Sequence, residues 1–205
     1  MPYFPGVGGR TYYQSWQPTR DVRSTVLVLH GYGEHLGLYE PLARWLTADG
    51  HAVYAVDALG HGRSDGERAV LPRFEDYVED AWQVLSRRQQ PGVPVTVIGH
   101  SGGAAAALLL ALRHPRHVQA LVLSGAAVAP WAWIEAVLAS GVPETEPGDP
   151  TEFLSTHPDY VHALLHDPLS TRAVSGGSTC SAWRRPGRRS RSGWPRARLR
   201  SRPCS

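Results

Sequence analysis

Gly99-His100-Ser101-Gly102-Gly103 places a serine inside a glycine-bounded pentapeptide of the form G-x-S-x-G. A serine hydroxyl can attack an acyl carbonyl if the chain presents it on a sharp strand-to-helix turn. The flanking glycines then avoid clashes that any Cβ would cause. Three fixed residues recur by chance, so context decides. An apolar run at residues 95–98 reads as a strand before the serine, and the apolar stretch 102–112 reads as a helix after it. That context favours a nucleophile elbow over a plain glycine turn. A second candidate is His30-Gly31-Tyr32-Gly33-Glu34-His35, directly after another apolar run. Acyl transfer builds negative charge on a carbonyl oxygen, and paired backbone N–H groups stabilise it. With Ser101 as nucleophile, one donor is the next amide, Gly102, and the loop after an earlier strand offers Tyr32 as the other. His30, Glu34 and His35 are read as loop-holding hydrogen-bonding groups rather than catalysts.

A nucleophilic serine needs a base, and the base needs an orienting acid. With a G-x-S-x-G elbow these follow the serine in the order acid, then histidine. No histidine follows His166 and no acid follows Asp167, so the triad acid and histidine are not identifiable in this chain. His61, in Asp57-Ala58-Leu59-Gly60-His61-Gly62-Arg63-Ser64-Asp65-Gly66, is read as structural, because a loop after an early strand does not normally supply the base. His100 neighbours the nucleophile, but on a sharp turn its side chain points elsewhere.

The elements that must position these residues alternate. Residues 25–29, 52–56, 95–98 and 118–123 read as strands buried on both faces, as in a parallel sheet. Residues 10–17 read as an antiparallel edge strand. Leu38, Leu42, Trp45 and Leu46 mark one apolar face of a helix, with Pro41 in its first turn and Gly50 past its end. Phe74, Tyr77, Val78, Ala81, Val84 and Leu85 mark a second. The third, 102–112, is apolar all round and so is expected to be buried. The order predicts an α/β fold with a mostly parallel sheet, helices on both faces and right-handed crossovers.

The HGYGEH stretch with Tyr39, the Asp57-to-Gly66 loop and the GHSGG pentapeptide together resemble the bacterial monoglyceride lipases and lysophospholipases, serine aminopeptidase-like hydrolases of the α/β-hydrolase superfamily. The resemblance runs from about residue 10 to about residue 172. It implies the α/β-hydrolase fold and hydrolysis of an acyl ester through an acyl-serine intermediate. It implies no metal and no organic cofactor. It carries Ser101 over as nucleophile, with the amides of Tyr32 and Gly102 as oxyanion hole. Gly102 stands where the family usually has methionine, and Ala104 where it often has glycine. A peptidase or acyltransferase on the same scaffold stays open. Dehalogenases and epoxide hydrolases are disfavoured by a serine at the nucleophile position.

Residues 127–174 resemble the family's cap. Trp131, Trp133, Ile134, Val137 and Leu138 form one apolar pattern, and Phe153, Tyr160, Val161, Leu164 and Leu165 a second. They either pack internally or contact an acyl chain or membrane surface. The division expected is a core at 1–126, a cap at 127–174 and a tail at 175–205.

The 205 residues are 42% hydrophobic and 19% charged, values of an ordinary globular domain. No apolar run is long enough to span a bilayer. No secretory leader is apparent, so a cytoplasmic location is expected. Cys180 and Cys204 support neither a disulfide framework nor a zinc site. All 21 basic residues are arginine. Residues 1–174 hold 12 arginines and all 18 acids, whereas residues 175–205 hold 9 arginines and no acid. That break marks the tail as the translation of a shifted reading frame, ahead of a disordered extension or a nucleic-acid-binding arm. Nucleic acid is not an expected partner; the expected one is a small-molecule or lipid ester. In the family's strand order the run 118–123 pairs with a strand this chain lacks, which leaves an apolar edge. The reading is therefore a serine hydrolase of carboxylic esters. The alternative is a non-catalytic fragment that keeps the fold without the triad.

Overall fold

Runs of β-branched and aliphatic residues, each the length of one strand, lie side by side in the computed structural model, which describes residues 2–126 and 155–171. The strands are β1 (Tyr3–Pro5), β2 (Arg10–Trp16), β3 (Ser24–Leu29), β4 (His51–Val56), β5 (Val95–His100) and β6 (Ala120–Ser124). They form one sheet in the order β1-β2-β4-β3-β5-β6. β4, β3, β5 and β6 are parallel, and β1 and β2 are antiparallel to their neighbours. Successive side chains of a strand face opposite ways. Leu27, Leu29, Tyr54, Val56 and Val97 therefore feed one core, and Val26, Val28, Val53 and Ala55 feed the other. Covering both faces is what makes these runs continuous rather than alternating.

The first core packs against α2 (Phe74–Arg88) and α3 (Gly102–Arg113), the second against α1 (Glu40–Ala48). Pro41 sits in the first turn of α1, which a 3-10 turn, Leu36–Tyr39, leads into. Gly50 follows α1 with φ of 98°, where a Cβ would be strained. α2 carries Glu75 and Asp76 at its start and Arg87 and Arg88 at its end, matching the helix dipole. A fourth helix, α4 (Pro158–His166), comes from the expected cap.

Three expectations change. β2 is not an edge, because β1 pairs outside it. Three residues ending in a proline give no periodicity to read, and an outermost strand tolerates the missing N–H of Pro5. The buried stripe into α1 runs through Leu36, Tyr39, Ala43 and Leu46. Trp45 is 70% exposed: the 3-10 turn rotates the face that periodicity alone selects. Finally, α3 is not buried all round, since Leu112 near its end is 68% exposed. The first cap pattern, Phe153 and the whole 175–205 tail lie outside the described residues.

Candidate active site

Ser101 joins β5 to α3 with φ of 49° and ψ of −116°, a conformation that costs a non-glycine residue on the order of 1–3 kcal/mol. The surroundings enforce it. Ser101 N–H donates to Ser124 O on β6 at 2.8 Å, and Ser101 O accepts from Ala104 N–H at 3.0 Å. A Cβ on Gly99 would lie 2.3 Å from Gly103 O, and one on Gly103 would lie 2.1 Å from Leu29 O. Both glycines are thus needed for α3 to start so close to β3 and β5. The side chain of Ser101 is left exposed at the sheet's C-terminal edge, where crevices of parallel sheets bind ligands.

The 30–35 loop leaves β3 beside it. Tyr32 N lies 3.7 Å from the point where a Cβ on Gly102 would stand. A Cβ on Gly31 would be 3.3 Å from Ser101 Cβ and 3.0 Å from Glu34 Oε2. Among the described residues, neither Tyr32 N–H nor Gly102 N–H donates a hydrogen bond. Gly102 N–H is an orphan donor of a helix N-terminus, so two free amides converge next to the serine. The loop is held from below. Asp57, 1% exposed, accepts from Leu36 N–H at 2.7 Å and Arg63 N–H at 2.8 Å. Tyr32 O–H donates to Ala69 O at 2.7 Å.

Glu34 is 3% exposed and accepts three hydrogen bonds: from Gly31 N–H at 2.7 Å, Tyr39 O–H at 2.5 Å and Tyr160 O–H at 2.5 Å. Burial alone would raise its pKa, but the two phenols and the amide outweigh burial and hold the carboxyl below its ordinary value.

The nearby histidines are engaged elsewhere. His30 Nδ1–H donates to Gly31 O at 2.7 Å and Nε2 accepts from Ala58 N–H at 3.0 Å. His61 Nδ1–H donates to Leu59 O at 2.9 Å, and its buried Nε2 has no partner among the described residues. Burial lowers both imidazoles to about 4, so both are neutral. His100 Nδ1 pairs with Ser124 Oγ at 3.2 Å. His35 Nε2 pairs with Asp167 Oδ2 at 3.2 Å. No described side chain hydrogen-bonds Ser101 Oγ, and among the described residues no set of three metal-binding side chains gathers. A cavity of about 50 Å³, walled by His30, His61, Leu71, Phe74 and Tyr77, opens beside Tyr32 and Gly102.

Sequence reasoning did not find Tyr160 or Asp167 as partners of this loop. Tyr160 read only as part of a helical pattern and Asp167 only as the last acid of the chain, and nothing in a sequence pairs residues 126 or 132 positions apart.

A family model described as serine aminopeptidase, S33 matches residues 20–183. The monoacylglycerol lipase of Mycolicibacterium smegmatis is 38% identical over 177 residues, covering 81% of this chain and 63% of that protein. Human monoglyceride lipase is 40% identical over 126 residues, covering 60% of this chain and 42% of that protein. The chain thus spans less than two thirds of either relative. The crystal structure of Paleococcus ferrophilus monoacylglycerol lipase superposes with a TM-score of 0.67 at 28% identity, covering 84% of this chain and 68% of that one.

Proposed function

The chain belongs to the serine aminopeptidase, S33 family of α/β-hydrolases, and we propose on that premise that it carries the nucleophile half of a serine hydrolase acting on carboxylic esters. One observation carries the reading: Ser101 sits on a strained elbow beside two amides, Tyr32 and Gly102, that donate no hydrogen bond among the described residues. Ser101 Oγ attacks the ester carbonyl carbon, and the carbonyl π pair moves onto oxygen. The N–H groups of Tyr32 and Gly102 receive that oxyanion. Collapse expels the alkoxide, which takes up the proton that the Ser101 hydroxyl gave up, and leaves an acyl-serine. Water then attacks the acyl carbon and releases the acid. The relatives named monoacylglycerol lipase support monoacylglycerols, or the similar lysophospholipids, as substrates.

A second reading, a non-catalytic protein on the same fold, rests on one fact: no described imidazole accepts the Ser101 proton. A serine without its base stays protonated and attacks poorly. Removing the histidine of a serine protease costs on the order of 10⁶ in kcat. Turnover of a short-chain nitrophenyl ester by the purified chain, with Ser101→Ala as control and added imidazole as a soluble base, separates the two. We expect slow turnover that imidazole raises in the wild type and not in Ser101→Ala. An equal response in both proteins would remove Ser101 from the chemistry. Brisk turnover without imidazole would mean a resident base and would sink the second reading.

A further inference from the structure

We infer that the segment around α4 forms a clamp on the oxyanion loop, with Tyr160 as a positioning residue that keeps the Tyr32 amide aimed beside Ser101. The inference rests on the assignment of Tyr32 as an oxyanion donor.

Three consecutive loop residues each meet residues 158–171. Gly33 O accepts from Thr171 N–H at 2.8 Å. Glu34 Oε1 accepts from Tyr160 O–H at 2.5 Å. His35 Nε2 pairs with Asp167 Oδ2 at 3.2 Å. The approach is tight: a Cβ on Gly33, whose φ is 78°, would lie 2.5 Å from Thr171 O. The middle contact connects directly to the amide pair. Glu34 Oε2 holds Gly31 N–H, one residue before Tyr32, and Tyr39 O–H. Glu34 Oε1 has Tyr160 as its one close donor among the described residues, with His100 Nε2 at 4.0 Å.

A buried carboxylate oxygen does not stay without a donor. When Tyr160 withdraws, Glu34 must rotate toward His100 or toward water. Either movement loosens its hold on Gly31 N–H and turns the next peptide, which bears the Tyr32 N–H. Beyond Asp57 to Leu36 N–H and Tyr32 O–H to Ala69 O, which lie to either side, that peptide is held at its own carbonyl: Gly31 O accepts from His30 Nδ1–H at 2.7 Å and from Glu34 N–H at 3.2 Å, and the second of these moves with Glu34. Oxyanion stabilisation depends on donors already in place when charge develops. The state of this segment thus sets how firmly the Tyr32 donor is held in place, with His30 as the hold that does not depend on Glu34.

The test needs no turnover, so its failure is separate from failure of the hydrolase reading. Amide hydrogen exchange and ¹⁵N–¹H spectra are recorded on the purified chain and on Tyr160→Phe. We expect exchange at Gly31, whose N–H is held by Glu34 Oε2, to rise at least tenfold in Tyr160→Phe. The Tyr32 amide resonance should shift, with β3 and β5 amides such as Leu27 and Val97 unchanged. A loop whose exchange and Tyr32 resonance match the wild type, while residues 158–171 alone exchange faster, would overturn the clamp. If Tyr160→Phe loses protection throughout β3 and β5, Asp167→Ala replaces it. That variant removes the His35 contact without touching Glu34, and the same two criteria apply.

Discussion

Neighbouring glycines in the elbow have opposite requirements. A Cβ on Gly103 would stand 2.1 Å from Leu29 O, a backbone atom that cannot move aside without shifting β3. A Cβ on Gly102 would meet nothing nearer than Tyr32 N, at an ordinary 3.7 Å. Gly103→Ala should therefore destabilise the protein by about 1–3 kcal/mol or more, as overpacking does. Gly102→Ala should leave stability unchanged or raise it by about 0.4–1 kcal/mol, because alanine narrows the unfolded ensemble. Chemical denaturation of the two variants checks this, and equal midpoints would contradict it.

β6 is the outermost strand of the described sheet, paired to β5 alone. Its exposure alternates from Ala120 to Ser124, with Val122 half exposed. An unpaired apolar edge is a template for another chain. Val122→Lys places a charge on that edge without entering either core. It should lower the light scattering of a concentrated solution and reduce binding of a hydrophobic dye. Unchanged scattering would mean that the edge is not the associating surface. α4 raises the converse point at this scale. Of its apolar residues Leu164 is buried and Tyr160, Val161 and Leu165 are partly covered.

Stability as a whole should carry the mark of two buried neutral histidines. His30 and His61 lie against each other, with ring centroids 5.4 Å apart, and burial lowers both to about 4. An unfolded histidine takes up its proton near pH 6.5. As pH falls below that value the unfolded state binds protons that the folded state refuses, so stability is lost progressively down to the folded pKa near 4 and levels off below it. Each unit of separation costs about 1.4 kcal/mol. The melting temperature should accordingly fall from pH 6.5 to pH 4, and His61→Gln should flatten part of that slope. A melting temperature constant across this window would show that the two imidazoles titrate normally. Glu34 acts in the other direction and in a lower window. Its depressed pKa adds stability that is present above the ordinary glutamate value and is lost as pH falls through the folded one.

What could be read from the chain alone was whatever depends on neighbours in sequence. Runs 25–29, 52–56 and 95–98 became β3, β4 and β5, because length and β-branching act locally. Gly99 and Gly103 flagged the turn at Ser101, because the clash they avoid is set by the turn itself. The approach of Tyr32 to Gly102 was legible through the order of two motifs, each attached to its own strand. The structure decided what depends on residues far apart. Packing turned Trp45 outward and chose Ala43 for the core, since one rotated turn changes which face meets the sheet. It made β2 an interior strand through a three-residue β1 too short to show a period. Above all it brought Tyr160, Asp167 and Thr171 onto the 33–35 loop. A hydrogen bond across that separation leaves no spacing in the sequence, because its geometry is set by how the intervening elements pack.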